Sequence, residues 1–159
     1  MNPTDRVREA LKPFGADDRV VEFDVSTATV ELAAAAIGCG SGHIAKTLSF
    51  MVGDQPVFVV AAGDRRVDNG KFKRRFATKA RMMTAEELRR HADLSFGGVC
   101  PFALPPTVQV WLDESLRGLD PVYPAAGTEH SVVRLSVDEL ERFSHARGWV
   151  DVCKERAPA

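Results

Sequence analysis

Apolar residues recur every three or four positions in several segments of the chain, which is the spacing of a helix with one buried face. In the first segment Val7, Leu11 and Phe14 share a face, and Gly15 follows as a stop signal. We predict five helices: 4–14 with Thr4 as its cap, 30–37 with Thr27 or Thr29 as its cap, 69–76, 84–91 with a capping box of Thr84 and Glu87, and a last one that opens with a second capping box at Ser136 and ends near Gly148.

Short apolar runs between these helices predict β-strands. The run 56–62 is continuously apolar and rich in valine, which is typical of a strand buried on both faces. Strands and helices alternate irregularly, and several strands follow one another closely. This order favours an α/β fold with a mixed sheet and helices packed outside it over a doubly wound parallel fold. The predicted strands are 20–23, 44–50, 56–62, 108–112, 122–123 and 132–135.

Size and composition predict one domain, residues 1–159. The chain is 45% hydrophobic and 27% charged, which is ordinary for a globular protein. No apolar run approaches the roughly 18 residues of a membrane span, and the first residues lack the apolar core of a secretory signal. Cys39, Cys100 and Cys153 are odd in number and far apart, so they predict neither a disulfide framework nor a zinc site. We therefore expect a cytoplasmic protein with no membrane segment and no metal.

One lysine interrupts the apolar run of the second predicted strand. On strict alternation Lys46 shares a face with Leu48 and Phe50. A half-buried ammonium is costly unless an anion or an acceptor compensates it. A glycine-rich loop, residues 38–43, directly precedes the strand, and its main-chain N–H groups also suit an anion. Lys46 therefore either binds a ligand, with His43 at the edge of the same pocket or merely in the loop, or extends to the surface from an edge strand.

A second glycine loop, within residues 95–106, is too apolar for an ordinary exposed loop. Paired glycines let the main chain adopt positive φ and approach a ligand closely, and the proline after them fixes the exit geometry. Such a turn would present its N–H groups in one direction, as oxyanion donors do. A tight structural turn over a sheet end is the alternative. The candidate residues are Gly97, Gly98, Val99, Cys100 and Pro101.

Cys100 also permits a different chemistry, in which its thiol is a nucleophile and His43 or His91 is the base. No histidine is tied to this cysteine by sequence, and cysteine is commonly a small buried hydrophobic residue. The sequence therefore favours a steric role for Cys100, in the wall of the pocket, over a nucleophilic one.

Basic residues gather in one segment, although the net charge of the chain is −1. No acid interrupts the segment, and such a cluster can bind a phosphate backbone locally even in a neutral protein. A solvated helix face is the alternative. The candidate contacts are Lys71, Lys73, Arg74 and Arg75, and Lys79 and Arg81 complete the segment.

Taken together, four segments resemble the YbaK/EbsC family, also called the prolyl-tRNA-synthetase-associated editing domain. They are TVELAAAAIG at 29–38, IAKTL at 44–48, GGVCPF at 97–102 and YPAAGT at 123–128. The resemblance implies a compact mixed sheet, partly closed into a barrel, with helices around it. It also implies that Lys46 lies in the pocket and holds the tRNA 3′ end, and that the loop 97–101 surrounds the aminoacyl carbonyl.

The same resemblance implies an activity. Characterised members hydrolyse aminoacyl esters from mischarged tRNA without a metal or another cofactor, and their proposed chemistry is water attack assisted by the terminal ribose hydroxyl. We therefore expect a free-standing trans-editing deacylase that acts on alanine, serine, cysteine or threonine attached to the wrong tRNA. Mischarged tRNA is the expected partner, an aminoacyl-tRNA synthetase is a second one, and neither DNA nor a membrane is expected. The alternatives are a Cys100-dependent thiol hydrolase and a non-catalytic module that binds tRNA or a nucleotide.

Overall fold

The computed structural model describes residues 2–155, which form five α-helices and nine β-strands. The helices are α1 Pro3–Leu11, α2 Val30–Ile37, α3 Asn69–Phe76, α4 Ala85–Ala92 and α5 Val137–Phe143. The strands are β1 Val20–Glu22, β2 Ile44–Val52, β3 Gln55–Ala62, β4 Arg65–Val67, β5 Gln109–Asp113, β6 Tyr123–Pro124, β7 Ser131–Val133, β8 Trp149–Val150 and β9 Cys153–Glu155.

The central sheet has five strands in the order β6-β2-β3-β5-β8. The hairpin of β2 and β3 is antiparallel and the other three pairings are parallel, which confirms the predicted mixed sheet. Two further pairs, β1 with β7 and β4 with β9, lie outside it. The expected partial closure into a barrel is not found in residues 2–155. The outermost strands of the central sheet, β6 and β8, have two residues each and do not pair with one another.

The central hairpin divides the core into two layers. Phe58 and Val60 of β3 point into the larger cluster, which α1, α4 and α5 cover. Val57 and Val59 point to the opposite side, where α3 covers them. Every residue of β3 after Gln55 is buried, so the prediction of a strand buried on both faces is confirmed. The hairpin is therefore a rigid base for whatever lies along the edge of β2 opposite β3.

The helix signals in the sequence are mostly confirmed. Thr29 caps α2 by accepting from the N–H of Leu32, and Gly38 ends that helix at φ 84°. Both capping boxes form, at the starts of α4 and α5. Helix α5 ends at Phe143, earlier than predicted, because the chain turns at His145 with φ 54°.

The start of α1 differs from the prediction. Asn2 is the cap, and its side chain accepts from the N–H of Asp5. Thr4 points inward instead, where its hydroxyl contacts those of Thr128 and Ser131 at 3.2 and 3.1 Å. The α-helix ends at Leu11, and residues 12–14 continue as a 3₁₀ turn. Within residues 2–155, no helix combines the length and the apolar content that a membrane span requires.

Candidate active site

A cavity of about 210 Å³ opens beside β2, along its edge opposite β3. The loop before α2 and the first turn of that helix form one wall, the segment 95–99 forms another, and the region of β6 and β7 closes the far side. The residues of interest among its lining are Lys46, Thr47, Met82, Phe96, Gly97 and Val99. The cavity thus joins the lysine strand to the second glycine loop, which lie some fifty residues apart in the sequence.

Lys46 is half-buried in the cavity wall, and its ammonium donates a hydrogen bond to the main-chain carbonyl of Arg65. The β2–β3 register places Lys46 opposite Ala61, and the turn after β3 brings Arg65 back beside the lysine. This hydrogen bond ties the side chain to the main chain of β4, so Lys46 does not extend freely into solvent. Its role in binding a ligand stays a prediction.

The second glycine loop divides between the cavity and the core. Gly97 lines the cavity at φ 90°, and Val99 lines it as well. Gly98 lies behind them and donates its N–H to the carbonyl of Ser95 at 3.1 Å. A Cβ on Gly98 would lie 2.6 Å from the main-chain oxygen of Gly127, so this position has room only for glycine. Within residues 2–155 the N–H groups of Gly97 and Val99 donate no hydrogen bond.

The last two residues of the loop lie outside the cavity. Cys100 is fully buried in the larger core cluster, and its thiol contacts the carbonyl of Phe102 at 3.7 Å. Burial raises the pKa of Cys100 to about 11. Pro101 lines a separate hollow beside Phe143. Cys100 therefore contributes to the core rather than to the cavity wall, and a thiol that titrates so high and has no access to solvent is a poor nucleophile.

The histidines that sequence reasoning weighed as bases do not line the cavity either. His43 lies in a 3₁₀ turn, Ser41–His43, directly before β2. Its Nδ1 is 2.7 Å from the main-chain oxygen of Pro121, which fixes the ring against the loop that leads to β6. This contact joins the start of β2 to the loop before β6, next to the cavity.

Half of the basic segment is engaged within the protein. Lys71 donates to a carboxylate oxygen of Asp151 at 3.0 Å and to the main-chain carbonyl of Cys153 at 2.9 Å. The guanidinium of Arg75 stacks over Trp111, 4.6 Å from the ring centre. These contacts connect α3 to β9 and to the central sheet. Lys71 and Arg75 therefore stabilise the packing of α3.

The remaining cations of this segment differ in exposure and partners. Arg81 forms an ion pair of 2.8 Å with Glu87. Lys73, Arg74 and Lys79 are exposed. None of the six basic residues lines the cavity. Of the four predicted nucleic-acid contacts, Lys73, Arg74 and Arg75 are exposed, and Arg75 also stacks on Trp111. Lys73 and Arg74 are therefore the two exposed cations of these four that form no ion pair or ring contact within residues 2–155.

Two cavity residues that sequence reasoning missed are large, apolar and exposed. Phe96 is 56% exposed and Met82 is 48% exposed, and both lie at the mouth of the cavity. The position of Phe96 beside Gly97 in an apolar loop was a usable signal. No signal in the sequence marked Met82, since a single β-bridge to Phe50 of β2 brings it to the cavity. The site therefore has an apolar rim.

Among residues 2–155, the cavity lining contains one charged residue and several neutral polar ones. Lys46 is its one charged lining residue in the described part of the chain, and hydroxyl-bearing residues supply most of the other polar groups. Within residues 2–155 no cluster of three or more His, Cys, Asp or Glu side chains could hold a metal ion. The arrangement suits a ligand that is bound by one cation, by main-chain N–H groups and by neutral oxygens.

Comparisons with known proteins identify the family of the chain. Residues 24–143 match the family model of the aminoacyl-tRNA editing domain, and the chain belongs to that family. An uncharacterised Bacillus subtilis protein, YwhH, is 43% identical over 150 residues, which are 94% of this chain and 96% of YwhH. The proline–tRNA ligase of Lactiplantibacillus plantarum is 26% identical over 78% of this chain, which corresponds to 22% of the ligase.

A solved structure extends the likeness to the whole fold. A crystal structure described as that of a candidate trans-editing enzyme for prolyl tRNA synthetase is 31% identical and superposes with a TM-score of 0.86, over 99% of both chains. The resemblance inferred from the four sequence segments is thereby confirmed at the level of the family.

Proposed function

We propose that the protein is an aminoacyl-tRNA deacylase, which hydrolyses the ester between a small amino acid and the wrong tRNA. One observation carries the proposal: in a chain of the editing-domain family, Lys46 and the main chain of Gly97 and Val99 line the same small cavity. A cation and two N–H donors at one place suit a substrate that is a phosphate-bearing ester and whose carbonyl becomes an oxyanion.

The size of the cavity supports a small amino acid. A volume of about 210 Å³ is below the range typical of pockets for drug-sized ligands. Four alanines, Ala28, Ala33, Ala45 and Ala125, form part of its lining. Since a hydrophobic pocket distinguishes one methylene by only about 1–3 kcal/mol, exclusion by size is the more effective filter. Alanine, serine, cysteine and threonine are the candidates, and all are small.

The proposed chemistry is attack by water on the ester carbonyl, assisted by the hydroxyl of the terminal ribose. Lys46 would hold the 3′ end of the tRNA and place the ester against the glycine loop. The N–H groups of Gly97 and Val99 would donate to the oxyanion of the tetrahedral intermediate. Charge-assisted hydrogen bonds of this kind contribute about 1.5–3 kcal/mol each.

The apolar rim supports a nucleic-acid substrate. Proteins bind unpaired bases by stacking them on exposed aromatic side chains. Phe96 and Met82 offer such a surface at the cavity mouth, where the terminal adenine would lie if the ester entered the cavity. Mischarged tRNA is therefore the proposed partner. Since relatives include a proline–tRNA ligase, tRNA for proline is the first substrate to test, together with prolyl-tRNA synthetase as a binding partner.

A panel of mischarged tRNAs tests the proposal. The purified protein is incubated with alanine, serine, cysteine and threonine esters of tRNA for proline and of unrelated tRNAs, and with the correctly charged prolyl ester. We expect release of at least one small amino acid far above the uncatalysed rate, and no release of proline from its own tRNA. Tight tRNA binding with no turnover of any ester would instead favour the non-catalytic binding module.

A further inference from the structure

The edge of β2 that faces the cavity is interrupted. On this edge β6 pairs with Ile44 and Ala45 and then stops. Pairing resumes only where Met83 donates its N–H to Ser49 and Met51 donates to Arg81. Within residues 2–155, positions 46–48 have no strand neighbour on this side. The sheet therefore has a gap three residues long, and the cavity lies at this gap.

The main chain of Thr47 faces this gap. Successive residues of a strand direct their N–H and C=O groups to opposite edges. Ser49 and Met51 direct theirs away from β3, toward the segment 81–83. Thr47 is two residues before Ser49, so its N–H and C=O point to the same edge. The N–H and C=O of Thr47 are thus one donor and one acceptor at the gap. Their spacing is that of the C=O and N–H of one extended residue on a neighbouring strand.

The side chain of Thr47 adds a third polar group. Its Oγ1 is covered from solvent and has no hydrogen-bond partner among the described residues. A buried hydroxyl without a partner is destabilising and uncommon in folded proteins. Thr27, which lines the same cavity from the loop before α2, instead donates its hydroxyl to the carbonyl of Glu129 at 3.1 Å. Because Thr47 lines the cavity, rotation about its Cα–Cβ bond would bring the hydroxyl toward a ligand there.

The free α-amino group of an aminoacyl ester needs oxygen acceptors. No carboxylate is among the residues that line the cavity in the described chain. The acceptors available at the gap in β2 are the carbonyl and the hydroxyl of Thr47. An aminoacyl group carries its ammonium and its carbonyl on either side of one Cα, as a strand residue carries its own N–H and C=O.

From this match we propose that the aminoacyl group binds in the gap of β2 as one added strand residue, paired with Thr47. The proposal rests on the deacylase function proposed above. The substrate ammonium donates to the carbonyl and to Oγ1 of Thr47, and the N–H of Thr47 donates to the ester carbonyl. The pairing is β-strand addition reduced to one residue. Thr47 is then the residue that makes the enzyme specific for esters with a free α-amino group.

Paired substrates test the proposal. Alanyl-tRNA and lactyl-tRNA differ only in an amino group against a hydroxyl, so both fit the same cavity. Each single-turnover rate is divided by the uncatalysed hydrolysis rate of the same ester, since the ammonium itself activates an ester. We expect the wild-type protein to accelerate alanyl ester hydrolysis at least about tenfold more than lactyl ester hydrolysis.

Variants assign the preference to Thr47. Thr47→Val keeps the shape and removes the hydroxyl, so the preference for the alanyl ester should fall about fivefold while the unfolding temperature stays the same or rises. Thr47→Ser restores a hydroxyl and should restore the preference. Glu129→Gln is the matched control, because the Glu129 carboxylate lies beside Gly97 and would be the competing acceptor.

The outcomes separate the two proposals. Equal acceleration of both esters would overturn the role of Thr47 and leave the deacylase function standing. A preference that is unchanged in Thr47→Val, or lost in Glu129→Gln, would also overturn it. If no aminoacyl ester is hydrolysed at all, the function proposed above fails, and the pairing with Thr47 fails with it.

Discussion

The ammonium of Lys46 donates its hydrogen bond to a main-chain oxygen, the carbonyl of Arg65. No substitution of the Arg65 side chain can remove this acceptor, since it belongs to the backbone of β4. Strand β4 is itself held by its antiparallel pairing with β9. The position of the ammonium therefore depends on the pairing of β4 with β9.

Replacing Lys46 by alanine should abolish most of the activity. The loss of one charge-assisted contact of about 1.5–3 kcal/mol predicts a fall of roughly 10- to 150-fold in the single-turnover deacylation rate. The unfolding temperature should change little, because the side chain is only partly buried. Lys12→Ala, which removes an exposed lysine on the turn after α1, is the control and should keep full activity. A Lys46→Ala protein with wild-type turnover would remove Lys46 from the site.

The exposed ring of Phe96 should contribute to binding of the tRNA end. Base stacking on an aromatic side chain is worth about 1–3 kcal/mol. Phe96→Ala should therefore raise the KM for mischarged tRNA at least about fivefold, whereas Phe96→Tyr should keep it. The control is Val21→Ala, an exposed apolar residue outside the cavity. An unchanged KM in Phe96→Ala, measured by steady-state deacylation, would mean that the ring binds no base.

Cys100 should affect stability and leave the chemistry unchanged. Cys100→Ala leaves a small void in the core and should lower the free energy of unfolding by about 1 kcal/mol. The deacylation rate should stay within twofold of the wild-type rate. Loss of activity in Cys100→Ala, with activity retained in Lys46→Ala, would instead favour the thiol hydrolase.

The pH dependence of stability follows from the same burial. The pKa of Cys100 is raised from about 9 to about 11 in the folded protein, so the fold favours the protonated thiol. This contribution to stability is complete below pH 9 and is lost as the pH rises through 11. The stability difference between the wild-type protein and Cys100→Ala should therefore shrink between pH 9 and pH 11, as measured by urea unfolding. A constant difference across that range would show that the thiol is not shielded.

An acid-sensitive ion pair joins Arg81 to Glu87 of α4. The guanidinium of Arg81 and the N–H of Thr84 lower the pKa of Glu87 to about 2. Stability from this carboxylate is present above about pH 4.5 and is lost as the pH falls to 2. The unfolding temperature should thus decline between pH 4.5 and 2, and less steeply in Glu87→Gln. Glu86→Gln, its exposed neighbour, should decline as the wild-type protein does.

Local signals predicted much of this fold, because they act over a few residues. Helices α2 and α3 have the predicted bounds, and a left-handed residue ends each, at Gly38 and Ala77. Strands β4, β8 and β9 were missed, since runs of two or three residues show no period and exist only through partners far along the chain.

The residues that line the cavity were also predictable only where local sequence marks them. Lys46 and Gly97, which both line the cavity, stood out because Lys46 is a charge in an apolar run and Gly97 is one of two adjacent glycines. The gap beside Thr47 could not be found in this way. It depends on where β6 stops and where Met83 begins to pair, and both partners are fixed by long-range packing. Cys100 was placed in the cavity wall for lack of the same information.

The last prediction concerns the exposed part of the basic segment, Lys73 and Arg74. Phosphate contacts release counterions, so tRNA binding should weaken steeply as salt rises. Removing both cations should flatten the slope of log affinity against log salt by roughly 0.7–0.9 for each lost contact. The KM should rise and the maximal rate should stay nearly unchanged, as expected when uniform binding is lost.

Two comparisons make this test specific. Arg89→Gln with Arg90→Gln makes the same change in net charge on another exposed helix, α4, and should leave the salt slope nearly as it is. Lys71→Ala should lower the unfolding temperature instead, because Lys71 holds Asp151 and the carbonyl of Cys153. If the Lys73 and Arg74 variant keeps the wild-type salt slope in filter-binding measurements, these side chains form only a solvated helix face. The tRNA backbone must then lie on another surface around the cavity mouth.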